Sequence, residues 1–140
     1  MSVERLTGSC LCGAVHYEVE GDPKRFYHCH CSRCRKASGT GHASNIMVVT
    51  DKVNWTKGEE LVGRYKVPEA ERFAVWFCKQ CGSPLPRLSP QLGAVVIPAG
   101  SLDMEPGIRP QGRIFSDSRA SWSCSADDDL PVFGENPPQT

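Results

Sequence analysis

Ser9-Cys10-Leu11-Cys12-Gly13-Ala14-Val15-His16-Tyr17-Glu18-Val19 opens with two cysteines one residue apart and runs directly into a stretch where Val15, Tyr17 and Val19 recur at every second position. Such alternation marks a strand with one buried face. In an extended chain, residues two apart point to the same side, so Cys10 and Cys12 can reach one metal ion while Leu11 is directed away. Gly13 follows at once, where a tight turn favours a residue without a Cβ. The fold is thus expected to be built from strands, with thiols gathered at their ends.

Seven of the eight cysteines fall into clusters of two, three and two: Cys10-x-Cys12, Cys29-x-Cys31-x-x-Cys34 and Cys78-x-x-Cys81. Tetrahedral zinc takes four ligands, and closed sites are structural, whereas three protein ligands with a free position are typical of catalytic zinc. The two pairs close one four-thiolate site, and the triad Cys29, Cys31 and Cys34 holds a second zinc with one position open. Two Zn2+ ions per chain are the cofactors expected. Cys78-Lys79-Gln80-Cys81-Gly82 has the form of a zinc knuckle that follows a strand ending at Trp76-Phe77. Joined to Cys10 and Cys12, it would tie together distant parts of the sheet and contribute folding free energy.

A disulfide framework is the alternative for an even cysteine count. The segment Met1-Ser2-Val3-Glu4-Arg5-Leu6 carries no apolar run of a secretion signal, so the expected location is the reducing cytoplasm, where closely spaced cysteines read as metal ligands. No βαβ pattern surrounds Cys78-x-x-Cys81 to suggest a thioredoxin-like redox role. His28 and His30 interleave with the triad, but alternation sends both to the opposite face, where they pack or hydrogen-bond behind the ligands. Cys124, the eighth thiol, reads as a free cysteine. Its alternative role is to close the triad's fourth position.

At 140 residues the chain is one domain, read as residues 6–133 with 134–140 as a C-terminal tail. A chain of about this size buries roughly 68–70% of its extended surface, enough for a real core. Sixteen Lys and Arg balance 16 Asp and Glu, which argues against a nucleic-acid or membrane surface. No apolar stretch approaches the roughly 20 residues that span a bilayer.

Strands are expected across 43–50, 61–67, 71–77 (with Phe73, Val75 and Phe77 on one face) and 94–97, the last closed by Pro98-Ala99-Gly100. No helix of ten or more residues is expected, and Arg35-Lys36-Ala37-Ser38 can form a single turn before Gly39. Eleven prolines and thirteen glycines between short strands suit an all-β architecture. The stretch from Asp127 to Thr140, rich in proline, reads as loosely held.

These motifs resemble the glutathione-dependent formaldehyde-activating enzymes and their relatives, which include centromere protein V. The stretches that carry the resemblance are 8–15, 29–36, 77–83 and Ile97-Pro98-Ala99-Gly100-Ser101-Leu102-Asp103. The resemblance implies an Mss4-like (β-tent) fold of short antiparallel sheets stapled by zinc. It also implies that Cys10, Cys12, Cys78 and Cys81 hold the structural zinc and Cys29, Cys31 and Cys34 the second. Towards the C-terminus the chain departs from the pattern. Relatives commonly have a histidine near Arg113 and a proline before the tryptophan of Ser121-Trp122, and Cys124 has no expected counterpart.

The family chemistry is condensation of glutathione's thiol with formaldehyde to S-hydroxymethylglutathione. The resemblance thus implies a carbon–sulfur lyase or synthase acting on a small-molecule thiol and an aldehyde. A coordinated thiol loses its proton at neutral pH, and the thiolate is the nucleophile a carbonyl requires. Arg33, Arg35 and Lys36 lie close to the triad in sequence and can meet the carboxylates of a glutathione-like ligand. His42, after Gly39-Thr40-Gly41, is a candidate acid–base group. The reading from a different class is a non-catalytic, zinc-stapled binding module, which Mss4-like relatives show the fold can be.

Overall fold

Arg5–Ser9 (β1) and His16–Glu20 (β2) form an antiparallel hairpin in the computed structural model, which describes residues 4–123 and 130–138. Register pairs Leu6 with Val19 and Gly8 with Tyr17. Every second residue on one face, Leu6, Val15, Tyr17 and Val19, is buried, as the alternation predicts. Gly8 belongs to that face because an added Cβ there would overlap the Tyr17 ring and the Ser101 carbonyl. Asn54–Lys57 (β5) completes this first sheet on the other side of β2, past an irregularity between His16 and Tyr17. The turn Cys10 to Val15 closes with Gly13 at φ 78° and its N–H on the Cys10 carbonyl (3.0 Å).

The second sheet has five strands in the order β11-β3-β4-β10-β9. Pro23–Cys29 (β3) pairs with Ala43–Val48 (β4), and β4 with Ala94–Pro98 (β10), all antiparallel. Arg87–Ser89 (β9) flanks β10. Gly112–Ile114 (β11) lies along β3 in parallel, an exception to the antiparallel pattern. The interior strand β10 buries Ala94 through Ile97 on both faces, which is why it reads as an unbroken apolar run rather than an alternating one. The third sheet joins Val62–Lys66 (β6), Ala74–Cys78 (β7) and Pro84–Leu85 (β8).

One core unites these layers. Leu6, Val15, Tyr17, Val19, Phe26, Ile46, Val48, Val62, Leu85, Val95 and Ile97 pack together with Cys10 and Cys78. Each such apolar side chain contributes roughly 1.5–3 kcal/mol on full burial. Trp55 bridges the first and third sheets, edge-on to Tyr17 and tilted against Trp76, with 6.3 Å between ring centres in each case.

The one α-helix among the described residues, Ser32–Ser38 (α1), spans seven residues and reaches further back than the single turn expected at Arg35 to Ser38. Cys31 caps it: its sulfur accepts the Cys34 N–H at 3.3 Å. Gly39, at φ 73°, ends it by donating to the Arg35 carbonyl. The all-β class stands as expected. No helix among the described residues is long and apolar enough to cross a membrane.

Candidate metal centres and the cavities between them

The sulfurs of Cys10, Cys12, Cys78 and Cys81 all lie within 4.8 Å of one another. Cys10 and Cys12 do not sit in a strand, as the spacing suggests, but in the turn of the β1–β2 hairpin. Leu11 nevertheless points outward and is 87% exposed. Cys78 ends β7, and the turn through Gly82 (φ 79°) returns Cys81 to the group. Sulfur separations are 3.6 Å for Cys10–Cys12 and 3.9 Å for Cys12–Cys78. A tetrahedral ion with bonds of about 2.3 Å sets its ligands roughly 3.8 Å apart, so the donor set fits zinc in both chemistry and spacing.

Backbone amides are aimed at these sulfurs. Val15 N–H donates to Cys10 (3.3 Å) and Gln80 N–H to Cys78 (3.4 Å), while the Gln80 side-chain amide donates to Cys12 (3.3 Å). Ser83 Oγ lies 3.2 Å from the Cys81 sulfur and accepts the Leu11 N–H at 2.9 Å, tying the knuckle to the hairpin turn. The Ser83 hydroxyl holds the Cys81 thiol down to about 5. Burial pushes Cys78 up to about 11.

The second group is Cys29, Cys31 and Cys34, whose sulfurs also lie within 4.8 Å of one another. Cys29 ends β3, Cys31 caps α1 and Cys34 belongs to its first turn. Cys29 and Cys34 are buried, Cys31 less so. The Cys34 thiol hydrogen-bonds the Cys29 sulfur, holding Cys29 down to about 6 and pushing its own pKa well up. Cys124 lies outside the described residues.

His28 and His30 face away from the triad, as alternation predicts, and meet His42. The His28 ring centre lies 4.1 Å and that of His30 5.2 Å from His42. Fully buried His30 accepts from Arg113 Nη1 at Nε2 (3.2 Å), so its proton sits on Nδ1, 3.5 Å from Ser123 Oγ. Ser44 Oγ lies between His28 Nδ1 (3.1 Å) and His42 Nδ1 (3.4 Å). Burial, together with the charges of Arg113 and His30 (and, for His42, of His28), holds the pKa values of His28 and His42 below the ordinary range. Neither His28 nor His30 joins a ligand cluster among the described residues.

Two cavities flank the triad. The larger, about 970 Å³, runs from Cys10 and Leu11 past Phe73, Val75 and Phe77 to His42 and Cys34. The smaller, about 680 Å³, is lined by all three triad cysteines. They share Cys34, Asn45, Phe73, Arg87 and Val96, which form the neck between them. Arg33 lines the smaller cavity. Arg35 turns back to its own chain, Nε donating to the His30 carbonyl (3.4 Å), and Lys36 lines neither cavity. Sequence reasoning missed Arg87. Its signal is a lone cation inside the otherwise apolar run Leu85-Pro86-Arg87-Leu88.

The sequence profile of the glutathione-dependent formaldehyde-activating enzymes matches residues 5–118. A Halomonas elongata protein, provisionally named as a glutathione-dependent formaldehyde-activating enzyme, is 34% identical over 127 residues, covering 84% of this chain and 78% of its own length. A crystal structure of a Rhodobacter sphaeroides protein superposes with a TM-score of 0.55 over 76% of this chain and 97% of its own. At 19% identity that likeness is one of fold. With a matched profile that takes in all seven described cysteines, the chain belongs to the glutathione-dependent formaldehyde-activating enzyme family.

Proposed function

We propose that this protein is a cytoplasmic, zinc-dependent carbon–sulfur lyase or synthase acting on an adduct of glutathione or a similar thiol, such as S-hydroxymethylglutathione. The observation that carries the reading is the thiol triad at the wall of a cavity, three ligands among the described residues where the other cluster has four. When bound by three thiolates, zinc supplies a free coordination position that lowers the pKa of an incoming thiol. Cys10, Cys12, Cys78 and Cys81 form the structural centre in this reading.

The chain's own groups divide the remaining work. The substrate sulfur attacks the aldehyde carbon and forms the C–S bond, while the carbonyl π pair moves to oxygen, which takes up a proton. His42 lines the larger cavity and is held neutral, so it can accept the thiol proton and return it to the new hydroxyl. Ser44 and His28 orient its ring from behind. The apolar wall of Phe73, Val75 and Phe77 limits water near the reacting carbon. Arg33 offers a charge for a substrate carboxylate at the smaller cavity.

NMR exchange between formaldehyde and S-hydroxymethylglutathione, followed with and without protein carrying two zinc ions, tests the proposal. Exchange is expected to run well above the uncatalysed background and to return to it in Cys31→Ser, which keeps the four-thiolate metal. Background rates from protein with both metals bound would sink the reading and favour the non-catalytic binding module.

A further inference from the structure

Arg87 lies on β9 at the neck where the two cavities meet, beside Cys34, Asn45, Phe73 and Val96. Its side chain is half-buried, and burial lowers its pKa. A buried charge without a partner is costly, so such groups are normally paired. Among the described residues Arg87 makes no ion pair and no side-chain hydrogen bond; its one specific contact is the Phe73 ring, 5.7 Å from the guanidinium carbon to the ring centre. Its charged neighbours are the Cys34 sulfur and the like-charged Arg72.

The surroundings strengthen the case for an anionic occupant. Arg33, Arg72 and Arg87 line the smaller cavity against one carboxylate, Glu71. Asn45 stands at the same neck, and its side-chain amide has no hydrogen-bond partner among the described residues. A planar guanidinium presents a fork that matches a carboxylate. The neck also adjoins Cys34, so a molecule whose sulfur sits at the triad passes its neighbouring atoms under this fork.

We propose that Arg87 is the carboxylate anchor of the substrate, selecting thiols that carry a carboxylate, as glutathione does, with Phe73 beside the guanidinium and Asn45 as a second polar contact. The assignment rests on the reading of the triad as the place where a substrate thiol sits. It separates Arg87 from a group that merely offsets the charge of the thiolates, because an anchor discriminates between ligands and an offset does not.

Calorimetric binding of 3-mercaptopropionate and of its methyl ester to the zinc-loaded full chain tests the anchor. The free acid is expected to bind about tenfold more tightly than the ester, the ordinary worth of a charge-assisted hydrogen bond. In Arg87→Gln both should bind with the ester's affinity, and zinc content should be unchanged. Should Arg87→Gln fail to fold, Arg87→Lys carries the test, since an ammonium cannot form the fork and the preference should shrink about threefold. An undiminished, about tenfold acid preference in either variant overturns the anchor, as does an equal weakening of acid and ester. Wild-type protein that binds neither thiol would instead overturn the thiol reading of the triad, and the anchor with it.

Discussion

Cys29 and Cys81 have thiols held near 6 and 5, against an ordinary value of 9.0. For Cys29 the cause is the hydrogen bond from the Cys34 thiol, and for Cys81 it is the Ser83 hydroxyl. Both favour the thiolate before any metal arrives, and metal ligation requires thiolates. A group whose pKa is lowered by folding adds stability that is fully present above its unfolded value and is lost as pH falls through its folded value. Metal-free protein should therefore develop thiolate absorbance between about pH 5 and 6, and lose stability progressively as pH falls from about 9 to about 5. Absorbance that appears only near 9 would contradict this picture. At this scale the thiol clusters were legible in advance, because cysteine spacing is a local property. The unpaired state of Arg87 was not, since it depends on which side chains from β4, β7 and β10 approach it.

Among the elements, β1 shows where periodicity stops informing. Leu6 is its only large apolar residue, so Arg5–Ser9 carries no visible alternation, yet it pairs along its whole length with β2. The strands that were legible, β2, β4, β6, β7 and β10, each carry at least two β-branched or aromatic residues. β8, β9 and β11 have only two or three residues and exist through their partners rather than through propensity. Helix α1 begins earlier than its composition suggests because a sulfur, rather than the usual hydroxyl or carboxylate, serves as its cap. Gly8 gives β1 its own test. Gly8→Ala forces a methyl group into the Tyr17 ring and the Ser101 carbonyl, which also disturbs the 2.6 Å hydrogen bond between Tyr17 and Ser101. Overpacking of this kind costs about 1–3 kcal/mol, readable as a lower midpoint in urea with an unchanged slope.

For the molecule as a whole, the two thiol clusters occupy different mechanical positions. Cys10 and Cys78 belong to the core that joins all three sheets, whereas the triad opens onto cavity walls. A chelator should thus remove zinc in two phases. The first ion should leave quickly with secondary structure retained. The second should leave slowly, together with the loss of circular dichroism, because Cys10 and Cys78 of the four-thiolate centre are built into the core. Loss of both ions in one phase from a chain that stays folded would show that neither centre supports the core.

The parallel pairing of β11 with β3 bears on how the chain emerges during synthesis. His30 N–H is held by the Ile114 carbonyl at 2.9 Å, and Arg113 reaches its ring. The backbone around the triad is therefore completed only after the polypeptide has been made through residue 114. At roughly 5–20 residues per second, that leaves Cys29, Cys31 and Cys34 outside the tunnel without their final neighbours for on the order of ten seconds. For that interval the nascent triad is open to oxidants and to competing soft metals, so its protection is set by the cell's thiol pool rather than by its own fold.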